Sequence, residues 1–175
     1  MAQDLLVIEE VDVRRADEVG DNRVITLTKM VLPPVKRKRA EHTPGGGIGT
    51  VAHNLPMIDA LEPTFSSKGL DFDIMQTLGM TAGLKDKWTF AATVRNKRTH
   101  ELLPLRATIQ GIVSDWTPGD HTPGELLDCD YAITEVTFYS VYINGKRYIE
   151  WDHYARDWWA GDVNIFAEYK NNLGA

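Results

Sequence analysis

The stretch Val136-Thr137-Phe138-Tyr139-Ser140-Val141-Tyr142-Ile143-Asn144-Gly145-Lys146-Arg147-Tyr148-Ile149-Glu150-Trp151-Asp152 decides the fold. Residues 131–143 are a β-branched and aromatic run, and 146–153 repeat that character. Between them Asn144-Gly145 is the strongest short hairpin signal. Both residues accept the left-handed backbone of a two-residue turn whose twist matches the strands on either side. Upstream, 87–95 alternates: Trp88, Phe90, Ala92 and Val94 point one way, Lys87, Thr89, Thr93 and Arg95 the other. After a polar turn at 96–100, Leu103, Leu105, Ala107, Ile109 and Val113 share one face, with Arg106, Thr108, Gln110 and Ser114 opposite. Period-2 alternation of this kind predicts antiparallel strands with one buried and one polar face.

Outward from these hairpins the pattern stays strand-like. Residues 5–13 are apolar-rich and end in Arg14-Arg15. Residues 23–32 are β-branched and stop at Pro33-Pro34, which cannot donate to a ladder. A helix is predicted over 71–78, with Asp71 as N-cap, Leu70 and Met75 as a hydrophobic staple and Gly79 as its stop. A helical turn is predicted near 166–170. Residues 35–59 and 117–127 are expected to be long irregular loops rich in Gly and Pro. The sum is about seven antiparallel strands and one short helix in a single domain over 1–175. That is an all-β-dominated β-sandwich or barrel.

The 175 residues are 43% apolar and 25% charged, an ordinary globular composition. The net charge of −6 argues against a surface that grips nucleic acid. It is unevenly spread, +1 over residues 1–110 and −7 over 111–175. One cysteine, Cys129, excludes an intrachain disulfide and fits a reducing compartment. The N-terminus has neither a basic n-region nor an apolar h-region, so no signal peptide is expected. The apolar runs fall far short of about 20 residues, so no membrane span is expected.

Four constellations invite a chemical reading. His-Thr-Pro-Gly occurs at 42–45 and at 121–124, but the five histidines have no short ligand spacing, so repeated loop chemistry explains it better than a metal. Gly45-Gly46-Gly47-Ile48-Gly49-Thr50 lacks the Gly-Lys-Ser/Thr ending of a phosphate loop and its βαβ context. Cys129 lies between Asp128 and Asp130, which disfavours a thiolate. Lys36-Arg37-Lys38-Arg39 has no aromatic platform for nucleic acid and is expected to face solvent or a partner. No catalytic, cofactor or metal site is expected. Trp151, Trp158 and Trp159 fit either core packing or a subunit interface.

The hairpin 136–152 resembles the C-terminal hairpin of the major tail tube proteins of contractile-tailed bacteriophages. There too a strand meets an Asn/Asp-Gly-Lys turn and an Ile/Val-Glu-apolar-Asp return. Asn172-Leu173-Gly174 at the end, and Leu32-Pro33 followed by the basic run and a glycine-rich loop, are similar as well. The likeness runs from about residue 5 to 175; residues 42–56 and 117–124 depart from it. It extends to the inner tubes of phage-like bacteriocins and type VI secretion systems. The resemblance implies a β-sandwich or barrel flanked by one helix, hexameric rings stacked helically, and a tube inside a contractile sheath. The implied partners are the tail sheath, tape measure, tail terminator and baseplate hub proteins. The tube would be built in the host cytoplasm, reside in the virion tail, carry DNA without specific binding and serve as a rigid needle.

Within that frame the subunit-interface candidates are Lys36, Arg37, Lys38, Arg39, His42, Gly45, Gly46, Gly47, Trp158 and Trp159. The lumen candidates are Thr89, Thr93, Thr108 and Gln110. An acidic lumen would repel phosphates and let DNA slide. The competing expectation is a monomeric small-ligand-binding β-barrel with an enclosed apolar pocket.

Overall fold

A computed structural model describes residues 4–16, 20–43, 45–80 and 86–174, with backbone alone at 77, 79 and 80. The strands are β1 (Leu6–Arg15), β2 (Leu27–Val31), β3 (Arg37–His42), β4 (Val51–Ile58), β5 (Thr64–Lys68), β6 (Asp86–Asn96), β7 (Leu102–Pro118), β8 (Asp128–Ile143), β9 (Lys146–Asp152), β10 (Asp157–Ala160) and β11 (Val163–Asn164). The helices are α1 (Phe72–Met80) and α2 (Ala167–Asn172).

The two hairpins anticipated from alternation organise everything else. In the β8–β9 turn Asn144 and Gly145 both take positive φ, 49° and 74°. The pairings Trp88↔Ile109 and Phe90↔Ala107 put the apolar residues of β6 and β7 on one face. All four side chains are fully buried.

β7 and β8 are long because each serves two layers. Residues 105–110 of β7 pair with 138–143 of β8 in the first layer, which runs β1-β6-β7-β8-β9-β10-β11. Residues 115–118 pair with 129–132, where β8 also takes β5, and β5 takes β2. Between the halves the strands bend. The β7 register slips at Gly111, and Glu135 of β8 sits at φ 47°. Gly111 is required there: a Cβ would lie 2.8 Å from both Ile133 Cγ2 and the Thr134 carbonyl oxygen.

The core fills the space between the layers. Phe65 of β5 stacks on Tyr131 at 4.9 Å and meets Phe90 edge-on at 6.1 Å and Trp88 at 5.9 Å. Val13, Ile74, Ile109 and Ile133 close it. The architecture is an antiparallel β-sandwich whose interior is packed with aromatic side chains.

Asp71 caps α1 as expected, accepting the Ile74 N–H at 3.1 Å. The helix runs through Gly79 to Met80, since a glycine weakens a helix without ending it. Arg23 ties this cap to the core. It is 5% exposed, donates to Asp71 Oδ2 at 2.5 Å, to Asp21 at 3.0 Å and to the Val13 carbonyl at 3.3 Å, and lies 5.5 Å from the Trp88 ring. Burial opposes its charge, but the hydrogen bonds to Asp21 and Asp71 prevail and hold its pKa above the ordinary value.

Three expectations need correction. Residues 35–59 are not an irregular loop: β3 and β4 pair as a separate two-stranded sheet. Thr117 and Pro118 belong to β7, so the second loop spans 119–127. The strand expected over 23–32 begins at Leu27, because Arg23–Thr26 is a turn in which Thr26 and Leu27 N–H groups both donate to the Arg23 carbonyl.

Candidate functional site

The polar face of the first layer is assembled by register. Thr89 lies opposite Thr108, Lys87 opposite Gln110, and Thr93 opposite Pro104. The four lumen candidates therefore share one face, with Thr89, Thr93 and Thr108 half-buried and Gln110 exposed. β1 continues the face, with Arg14 opposite Thr89 and Glu10 opposite Thr93. A groove of about 420 Å³ runs between Arg14, Thr89, Arg106 and Thr108. The charges here are mixed: Arg14, Lys87, Arg95 and Arg106 against Glu10 and Asp12, joined by Glu150 and Asp152, which follow Thr108 and Gln110 across β8. The acidity of residues 111–175 is therefore not concentrated on this face.

Next to the face, Glu9 bulges out of the β1–β6 register and accepts from Arg95 at 2.8 Å and Lys97 at 3.0 Å. These hydrogen bonds, Arg95's first, bring its pKa down from 4.5 to about 2.

Among the described strands β1 is terminal in its layer and pairs with β6 alone. Its first half is apolar yet uncovered, with Leu6, Val7 and Ile8 exposed beside Leu5 and Leu102. β2, too, pairs with a single strand among those described, β5. Open edges next to apolar side chains are what a chain presents to another chain. The sequence pattern predicts a strand here but points to no contact for it. The available signal was the run Leu5-Leu6-Val7-Ile8 itself, too apolar for a free edge.

The β3–β4 hairpin carries most interface candidates. Every side chain of β3 is exposed, including Arg37, Lys38, Arg39 and His42. The Arg37 guanidinium lies 4.9 Å from the centre of the Trp158 ring. A groove of about 750 Å³ follows Lys36–Arg39, with Asn54 and Asp59 opposite. Register slips beside Lys38, where Pro56 of β4 cannot donate. At the far end His42 pairs with Val51, and the Thr43 and Thr50 hydroxyls meet at 2.8 Å. Gly45, Gly46 and Gly47 form the exposed tip. Pro44 lies outside the described residues.

Of the tryptophan candidates, Trp158 is only 6% exposed and packs within the chain, beside Phe166 at 6.4 Å. Trp159 is half-buried, with the Arg147 guanidinium 4.2 Å from its ring. Both sit in β10, an element missed in the sequence; Gly161-Asp162 before Val163 was its turn signal. Among the described residues no group of three or more His, Cys, Asp or Glu side chains converges as a metal site. None of their helices is long and apolar enough to cross a membrane.

An antiparallel sandwich with a terminal strand β1 and a separate cationic hairpin has the build of a structural protein. The chain belongs to the family of phage tail tube protein FII, whose model matches residues 18–174. It is a structural, non-enzymatic component of a virion tail tube. Its fold is shared with solved structures from contractile injection systems. The tube-terminating cap of the anti-feeding prophage is 14% identical, with a TM-score of 0.53 over 82% of this chain and 93% of that one. A chain of the extended PVC sheath-tube complex is 13% identical, with a TM-score of 0.52 over 76% and 88%. A chain of the PVC sheath/tube terminator is 13% identical, with a TM-score of 0.51 over 77% and 92%. No curated protein matches the chain.

Proposed function

We propose that six copies of this chain close into a ring, that rings stack helically, and that the resulting tube lies inside a contractile sheath. The open outer edge of β1, flanked by exposed Leu6, Val7 and Ile8, carries this reading. A neighbouring copy that pairs with it satisfies the unpaired backbone groups and covers the apolar side chains together. A sheet continued from copy to copy around an axis leaves no edge, and copies that also rise along the axis make an open tube.

In that arrangement the face of Thr89, Thr93, Thr108 and Gln110 lines the lumen, through which DNA passes without specific binding. The β3–β4 hairpin and loop 119–127 meet neighbouring copies. Sheath, terminator, tape measure and baseplate hub proteins are the partners of such a tube, and assembly takes place in the host cytoplasm. The tube conducts DNA and acts as the rigid element driven outward when the sheath shortens.

Negative-stain microscopy of the purified protein tests this directly. Rings or tubes support the assembly; uniform single-chain particles at every concentration contradict it.

A further inference from the structure

The β3 strand holds four consecutive cations, Lys36-Arg37-Lys38-Arg39, counting the residue just before it. Among the described residues no carboxylate forms an ion pair with any of them, and Arg37 alone has a partner, the Trp158 ring. The complementary segment lies elsewhere in the same chain. From residue 107 to 145 there is no Lys or Arg, while Asp115, Asp120, Glu125, Asp128, Asp130 and Glu135 supply six carboxylates. Asp128 is paired with Lys68 of the same chain at 2.6 Å. Asp120 and Glu125 stand exposed on loop 119–127.

The sheet register places these two charges at opposite ends of the second layer. The hairpin leaves just after Val31, which pairs with Thr64, itself opposite Ala132. Loop 119–127 leaves beyond Pro118, which pairs with Cys129, next to Ser67 and Leu27. The exits are three strand positions apart along β5 and β8, roughly 10 Å. A self-complementary patch pairs about a two-fold axis and stops, whereas complementary patches at opposite ends join head to tail and continue.

We infer that β3 of one copy docks on the acidic loop 119–127 of a second copy, so that ionic contacts couple successive copies in the tube. The inference rests on the assembly proposed above and adds to it which surfaces meet and what holds them. Successive strand residues project to opposite sides, so the four cations present charge on both faces of the hairpin. Contacts between exposed charges weaken as salt shortens the screening length.

The test uses the full chain and three variants: Lys38→Glu/Arg39→Glu, Asp120→Lys/Glu125→Lys, and all four changes together. Arg37 is left intact because of its contact with Trp158. Assembly is followed by sedimentation velocity and negative stain at about 50 and about 500 mM NaCl. The expected result is that high salt and either double reversal raise the concentration needed for assembly by roughly tenfold or more, and that the fourfold variant recovers it. Circular dichroism checks folding; should a reversal unfold the chain, Lys38→Gln/Arg39→Gln replaces it with the same expected direction.

Assembly that ignores salt and both reversals overturns the inference while leaving the tube intact. A hairpin variant that assembles normally but loses affinity for a fluorescent DNA duplex also overturns it, and makes β3 a nucleic-acid surface. Wild-type protein that never assembles overturns the tube itself.

Discussion

Replacing Arg23 with methionine tests how the second layer and α1 are fastened to the core. The side chain is almost wholly buried and makes three hydrogen bonds, to Asp71, Asp21 and the Val13 carbonyl. Methionine fills much of the volume beside Trp88 but leaves two carboxylates facing each other without their cation. Removing one partner of a buried ionic group costs about 3–5 kcal/mol. Asp21 and Asp71 retain some solvent contact, 12% and 18% of their side chains, so the lower end of that range is expected.

At this chain length such a loss lowers the melting temperature by roughly 10 °C. The assay is thermal unfolding followed by tryptophan fluorescence at low protein concentration, since self-association raises apparent stability by mass action. Asp71→Asn retains a cap acceptor for Ile74 and one carboxylate for Arg23, and is expected to cost about half as much. The double variant should fall short of the sum of the single losses by about 1 kcal/mol or more. A loss below about 1 kcal/mol for Arg23→Met, or strict additivity with Asp71→Asn, refutes the claim that this cluster fastens the layers.

Gly111→Ala is expected to destabilise by about 1–3 kcal/mol, measured by urea unfolding, because the new methyl meets the Thr134 carbonyl and Ile133 where both strands bend. A neutral result would mean that the β7–β8 crossing is looser than described. Glu9 should titrate near pH 2, against 4.5 for a free side chain, when its carboxyl is followed by NMR in the dispersed protein. The sign follows from the depressed value: its contribution to stability is fully present above the unfolded pKa and fades as pH falls from about 4.5 through 2. In Arg95→Gln the midpoint should move toward the free value; an unmoved midpoint would deny Arg95 the leading role.

Burial on one face explains which strands were legible. β6 and β7 alternate because one side is buried in the core around Phe65 and the other is not, and β8 and β9 were legible from their β-branched and aromatic runs and the turn at Asn144-Gly145 between them. The β3–β4 hairpin has an exposed side chain at every β3 position, so its pairing left no alternation and its cations and glycines resembled loop composition. β10 is four residues long and β11 two, below what a period can show. For the site, alternation alone placed Thr89, Thr93, Thr108 and Gln110 together. Trp158 was ambiguous because a tryptophan covered by Arg37 and Phe166 has the same sequence signature as one awaiting a partner. The mixed charge of the polar face was hidden because Arg14 and Arg106 reach it from different parts of the chain, and only register joins them.

A density map of assembled particles that resolves β1 is the most direct measurement. The outer backbone groups of the first half of β1, from Leu6 to Val11, should be hydrogen-bonded to a strand of an adjacent copy, with Thr89 and Thr108 turned to the central channel. An assembled particle in which that margin of β1 still faces solvent would contradict the account.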